Sequence, residues 1–206
     1  RVRDELYWNV LERKPGVYDW GYGDRVFAQL ADGGTRVILG FDFGNALYDS
    51  PGTSFPDTDS AREAFADYVV AVLGRYAGPG GKYPGLIEAI EIWNEANGHW
   101  GGGYRPKEVA PLLAQLTKVV SDRVRANSDY DDILILGCAA VNIPLRYIKW
   151  CFDAGIGDAI DKVVVHPYTG PEMVLQEVAW LREQLAAEGH APGIGAPEFG
   201  ILNSAA

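Results

Sequence analysis

The sequence predicts an α/β domain built on a parallel sheet, and three observations carry that prediction. Short apolar runs alternate with segments of helical spacing along the whole chain, and right-handed crossovers turn such alternation into parallel strands. The chemically reactive residues fall at the carboxyl ends of the apolar runs, where both a doubly wound open sheet and a (β/α) barrel keep their sites. Hydrophobic residues make up 48% of the 206 and charged residues 22%, which is enough apolar material for one full core and leaves no room for a second domain.

The elements follow in order. Val2 to Glu12 reads as a first strand, closed by the Lys-Pro-Gly turn at Lys14 to Gly16. Val26, Phe27 and Leu30 give helical spacing over Asp24 to Leu30, ended by Gly33 and Gly34. Thr35 to Phe43 is a continuous apolar run, as in a strand buried on both faces. The stripe Phe65, Tyr68, Val69, Val72, Leu73 makes Asp59 to Tyr76 a helix, and Gly78 to Gly81 a loop. Strands are then expected at Leu86 to Trp93, Ile133 to Val141, Lys162 to His166 and Ile194 to Phe199. Helices are expected between them at Pro106 to Ala126, Leu145 to Ala154 and Pro171 to Glu188. Six strands thus alternate with five helices.

Composition removes several functions. A formal net charge of −10 argues against partners bound through phosphates, so neither nucleic acid nor an anionic membrane surface is expected. Arg3, Arg105 and Arg146 are the candidates for a local basic pocket that would reverse this at one site. No apolar run has the roughly 20 residues of a membrane span. Cys138 and Cys151 match no redox or metal motif and read as two buried thiols rather than a bridge. The histidines, His99, His166 and His190, are too few for a histidine-rich metal centre, so no metal and no cofactor is expected. The turns after the first two strands lack the glycine fingerprint of dinucleotide folds, and Gly98 to Gly103 lacks the Gly-Lys-Ser/Thr ending of a phosphate loop. Both absences weigh against a doubly wound nucleotide-binding domain. The chain opens on Arg1 with no basic-then-apolar leader, and a secreted or periplasmic location is favoured over a cytoplasmic one.

Two strand ends carry the chemistry. IEIWNEANG, Ile90 to Gly98, runs from an apolar strand into Asn94 and Glu95. GIGAPEFG, Gly193 to Gly200, presents Glu198 in the same way 103 residues later, the length of three strand-plus-helix units of about 34 residues. The two carboxylates therefore face one mouth. A converging pair is what glycosidic cleavage needs: one protonates the departing oxygen, and the other attacks the anomeric carbon or activates a water. The proton donor needs a raised pKa and the nucleophile needs hydrogen bonds that keep it ionised. His166 and Tyr168, two apart at the end of the fifth strand, share a face and are the candidate donors. Trp8, Phe41, Phe43, Trp93 and Trp100 crowd the same ends, and flat rings beside hydrogen-bonding groups suit a sugar face. Trp100, in a glycine-rich loop with Tyr104, is the preferred platform.

The segment RDELYWNVLERKPGVYDW, the strand end IEIWNEAN, the His-Pro-Tyr at His166 to Tyr168 and the Pro-Glu-Phe-Gly at Pro197 to Gly200 resemble the glycoside hydrolases of clan A, the retaining (β/α)8 enzymes. The form WNEAN and the opening W-x3-E-x3-G-x-Y-D-W are most similar to family 39 and its bacterial endoglycosidase-like relatives, with family 5 next. The resemblance implies a (β/α)8 TIM barrel and retaining hydrolysis of β-linked oligo- or polysaccharides. It implies Glu95 as general acid/base, Asn94 on the sugar 2-hydroxyl, Glu198 as nucleophile and Tyr168 bonding that nucleophile beside His166. Asp42 and Asn45 fall where relatives hold further sugar contacts, and Trp8 joins Trp100 among the substrate-binding candidates.

The sequence also departs from the pattern. Ala96 stands where a proline commonly follows the Asn-Glu pair, which alters local stiffness only. Matched to the barrel, the six strands are barrel strands two to seven, and the first and eighth are missing. Residues 1–206 are thus expected to be a catalytic barrel domain and a fragment of a longer chain, with the missing strands supplied by the rest of that chain or by another chain. The competing expectation is a catalytically silent carbohydrate-binding barrel.

Overall fold

The apolar runs become six parallel strands of one sheet in the computed structural model, which describes residues 1–200. The expected domain boundary at 206 lies outside the described residues. In chain order the strands and helices are β1 (Val2–Tyr7), α1 (Trp8–Leu11), β2 (Glu12–Lys14), β3 (Val17–Tyr18), α2 (Gly21–Asp32), β4 (Val37–Asp42), α3 (Asp59–Tyr76), β5 (Ile87–Ile92), α4 (Pro106–Arg125), β6 (Leu134–Val141), α5 (Leu145–Asp153), β7 (Lys162–His166), α6 (Pro171–Ala187) and β8 (Gly193–Gly195). The main sheet runs β1-β4-β5-β6-β7-β8 with every pair parallel, and β2 and β3 form a small antiparallel hairpin. Among the described residues the sheet does not close: β1 and β8 are each paired on one side only. The architecture is that of a partial TIM-barrel-like domain.

Two ends of the sheet differ from expectation. The first strand stops at Tyr7, and Trp8 and Leu11 form a helical turn in which both are buried. Residues three apart point to opposite faces of a strand but to one side of a helix, so burying both apolar side chains together bends the chain out of the sheet. The last strand covers Gly193–Gly195 only. Pro197 brings no N–H to continue a ladder, and the residues after Gly195 leave the sheet in a bend.

The strands alternate between two environments. On one face Val37, Leu39 and Phe41, with Ile90, Ile92, Ile135, Val163 and Val165, pack under the helices against Phe27, Phe65, Leu73, Leu113, Val120, Ile148 and Leu181. The helices begin where their caps dictate: Thr58 Oγ1 accepts from the Ala61 amide at the start of α3, and Glu108 accepts from the Arg105 amide at the start of α4. The opposite, concave face holds a smaller apolar group near the amino ends, Ala89, Leu136, Ala139 and Val164 with Ile38 and Leu134 against them. A cavity of about 480 Å3 opens over this group. One layer nearer the carboxyl ends, Glu5 and Glu91 flank Gly40 in register. A Cβ on Gly40 would stand 3.0 Å from Glu5 Cγ, so the missing side chain is what lets the Glu5 stem lie over the sheet.

Candidate active site

The backbone leaving β5 is bent to aim one side chain. Trp93 has φ +64° and Glu95 φ +45°, a left-handed conformation that costs free energy in a residue with a side chain. Neighbouring strands hold it: the Trp93 amide donates to Phe41 O at 3.2 Å and the Glu95 amide to Ala139 O at 2.8 Å. The acceptor lies in an irregularity of β6 between Gly137 and Ala140, where Cys138 and Ala139 also have positive φ. The Trp93 indole N–H fastens the following loop to Trp100 O at 2.8 Å. Glu198 arrives from the bend after β8, and the Gly200 amide bonds Pro167 O at 3.3 Å, beside the end of β7.

These bends bring the predicted carboxylates together. One oxygen of Glu95, one of Glu198 and a ring nitrogen of His166 all lie within 4.8 Å of one another. His166 is fully buried, with Nδ1 3.1 Å from Glu95 Oε1 and 3.8 Å from Glu198 Oε2. Its other nitrogen, Nε2, is 3.6 Å from Glu91 Oε2. Burial opposes charge on this imidazole, but the Glu91 carboxylate facing Nε2 and the bond to Glu95 outweigh it and raise the pKa to about 9. The raised pKa favours the imidazolium, in which Nδ1–H donates to Glu95 Oε1.

Arg3 forms the other side of the cluster. Its Nε and Nη2 donate to Glu91 Oε1 at 3.1 and 2.6 Å, Nη2 also to Asn94 Oδ1 at 3.1 Å, and Nη1 to Glu5 Oε1 at 2.7 Å. Nη1 lies 3.2 Å from Glu198 Oε2. Burial would discharge Arg3, and the Glu91 and Glu5 carboxylates overcome that and raise its pKa. Burial pushes the Glu91 carboxyl up, while His166 and Arg3 together hold it below its ordinary value.

The remaining expected site residues divide. Trp100 is half-buried with its ring stacked on Phe43 at 5.0 Å, and Phe43 in turn stacks on the exposed Tyr7 at 5.8 Å. A row of three rings thus borders the mouth. Asp42 faces the cluster but is sealed beneath it, with no hydrogen-bond partner on either oxygen. Burial, then the Glu5 and Glu91 charges, raise its pKa well above its ordinary value. Tyr168, expected on the nucleophile, lies with its ring against Gly200. Among the described residues Glu198 is held by Arg3 rather than by the Tyr168 hydroxyl.

Two expected sugar contacts belong to the scaffold. Trp8 has 0% exposure, stacks between Tyr48 and Tyr68 at 5.0 and 5.9 Å, and donates its indole N–H to Glu12 Oε2 at 2.6 Å. Asn45 is buried, donates to Glu12 O at 2.8 Å and accepts from the Leu47 amide. Both are buried and satisfied by internal hydrogen bonds. Of the arginines proposed for a basic pocket, Arg3 enters the site as a partner of acids, whereas Arg105 is exposed and paired with Glu108. Cys138 and Cys151 are free and buried, as expected.

Glu91 and Glu5 were not foreseen. A signal existed: a strand buried on both faces that carries a carboxylate, as IEAIEI does at Glu91, must bring a cation to it, and RDE at Arg3 supplies one. Glu95, His166 and Glu198 are also the set among the described residues whose atoms could reach a single metal ion.

No family model and no curated protein sequence matches the chain. Solved structures do match. A family 39 glycoside hydrolase from the gut symbiont Bacteroides cellulosilyticus WH2 superposes with a TM-score of 0.69 at 21% identity, covering 96% of this chain and 43% of that one. A GH39 beta-xylosidase from Caulobacter crescentus gives 0.67 at 18% identity, covering 96% and 46%. A psychrophilic family 10 endo-beta-1,4-xylanase gives 0.57 at 13%, covering 90% and 62%. The chain spans less than half the length of the first two. At these identities the likeness shows the fold alone, a partial (β/α) barrel. No helix of the described residues is long and apolar enough to cross a membrane.

Proposed function

We propose that this chain is the catalytic part of a retaining β-glycosidase acting on oligo- or polysaccharides. The observation that carries the reading is the convergence of Glu95, Glu198 and His166 within 4.8 Å at the carboxyl ends of the strands. That approach favours the short carboxyl separation of retaining enzymes, about 5–5.5 Å, over the roughly 6.5–9.5 Å of inverting ones. Glu198, braced by the Arg3 guanidinium, attacks the anomeric carbon. As the glycosidic bond breaks, the departing oxygen takes a proton from Glu95, and a glycosyl ester forms on Glu198. Water then gives a proton to Glu95, attacks the same carbon and frees Glu198.

Substrate contacts follow from the same geometry. Asn94 spends its amide oxygen on Arg3, which leaves its N–H2 for the sugar 2-hydroxyl. The Trp100–Phe43–Tyr7 row offers apolar surface to a pyranose ring. The open edges at β1 and β8 are completed by strands from the rest of a longer chain or from another chain. The net charge of −10 disfavours nucleic acid as a partner.

A second reading, a silent carbohydrate-binding barrel, is favoured by one observation, the unclosed sheet. Aryl β-glycosides and β-linked oligosaccharides decide between them. The enzyme releases aglycone or reducing ends, and release disappears in Glu95→Gln; a binder retains the oligosaccharide unchanged for hours. Azide restores turnover to Glu198→Gly with an α-glycosyl azide as product, and a β-configured azide from that variant would contradict the assignment of Glu198.

A further inference from the structure

Glu91 is fully buried on the concave face of β5, one layer beneath the carboxylates that do the chemistry. Its two oxygens face different cations. Oε1 takes two N–H groups of Arg3, and Oε2 faces His166 Nε2. Each cation has a second end, and each second end reaches a carboxylate at the mouth: Arg3 Nη1 reaches Glu198, and His166 Nδ1 reaches Glu95 and Glu198. Glu91 is the anion that joins the two branches.

Packing alone does not account for it. An ionised carboxylate in the interior costs several kcal/mol unless paired, and the neighbouring layer of the same face is built from Ala89, Leu136 and Val164 without any charge. Substrate contact does not account for it either, since its side chain has no exposed surface. What the location does achieve is to fix two positive groups that would otherwise be shared among Glu5, Glu95 and Glu198 alone.

We propose that Glu91 is a positioning residue that anchors Arg3 and His166 from below and so sets the stance of both mouth carboxylates. The inference rests on the glycosidase reading for what those carboxylates do, but its physical content is the charge placement. Glu91 keeps both imidazole nitrogens of His166 protonated, so that Nδ1 is always a donor to Glu95. The groups around His166 are Glu91, Glu95 and Glu198 within ion-pair range, with Arg3 and Glu5 from β1 and Asp42 from β4 beyond them. The β6 segment, LILGCAAV, brings no charged side chain to it.

The test is the 15N titration of imidazole-labelled protein, with His166 assigned from the spectrum of His166→Gln. In the unsubstituted chain His166 is expected to be doubly protonated at pH 7.5. In Glu91→Gln its midpoint falls by about one pH unit or more, and the basic limb of kcat/KM against pH moves down with it. Glu91→Asp, which keeps the charge on a shorter stem, holds the imidazole midpoint near the parent's while lowering kcat. An unmoved midpoint in folded Glu91→Gln overturns the proposal, and so does a neutral His166 at pH 7.5 in the parent should that variant not fold. Cleavage assays on the parent judge the glycosidase reading separately: a moved midpoint without any cleavage leaves the charge placement standing and removes the reading it served.

Discussion

The two faces of the sheet are made from the same strands, yet one is held by contact and the other by charge. Along β4 the residues Val37, Leu39 and Phe41 pack into the helix layer, while Ile38, Gly40 and Asp42 face inward and pass from apolar to empty to acidic. Ala89 and Glu91 repeat the change on β5, and Val164 and His166 on β7. The helix-covered face is uniform along its length; the concave face is graded. The gradient places seven ionisable groups, Arg3, Glu5, Asp42, Glu91, Glu95, His166 and Glu198, at one end of a face whose other end carries Ile38, Ala89, Leu136 and Val164. Stability and chemistry are thereby assigned to different sides of each strand.

That division can be broken experimentally, beginning with the largest expected effect. Glu198→Ala should lower kcat on the order of 10^4-fold or more while leaving the urea midpoint unchanged or raised, because a half-exposed anion is removed from an acidic cluster. A large loss of stability in this variant would show that the concave face also holds the fold. Leu73→Ala, fully buried under the helices, should cost about 2–5 kcal/mol in urea unfolding with kcat unaltered in the protein that remains folded.

His166 sharpens the comparison through pH. Its pKa in the folded protein, about 9, lies above the ordinary 6.5, so the imidazolium contributes stability that is fully present below about pH 6.5 and is lost as pH climbs through 9. Between pH 6 and pH 10 the parent should lose on the order of 1–3 kcal/mol more than His166→Gln, read from urea unfolding of both proteins at each pH; parallel curves would mean that the imidazole is neutral. Leu134→Ala should have the smallest effect, about 1 kcal/mol, since this side chain lies half-buried over the open cavity of the concave face.

Much of this was legible in the sequence because it depends on periodicity. The helix over Asp59–Tyr76 and the strand over Lys162–His166 fall where the apolar spacing puts them, the other central elements differ by a residue or two at their ends, and α2 begins three residues earlier than Asp24, at Gly21. The errors lie where two periodicities compete. Trp8 and Leu11 satisfy a helix in the middle of what reads as a strand. The motif of Trp8, Glu12 and Gly16 was visible but its meaning was not: Glu12 is buried and accepts from the Trp8 indole, the Gly16 amide and the Tyr48 hydroxyl, so the motif builds the hairpin rather than the sugar site. Glu95 and Glu198 stand out in the sequence because strand ends expose side chains. Glu91 was passed over because alternation within a strand states which face a residue takes, and not what lies across from it. The partner, Arg3, is 88 residues away.

The positive φ angles at Trp93 and Glu95 on one strand and at Cys138 and Ala139 on the next carry a consequence for protein engineering. The Glu95 amide is tied to the carbonyl of Ala139 and the Trp93 amide to that of Phe41, so the direction of the Glu95 side chain is written in the main chain of three strands jointly. Grafting Asn94 and Glu95 onto another barrel would move the letters without the geometry; the smallest transplantable unit is β4, β5 and β6 together, irregularity included.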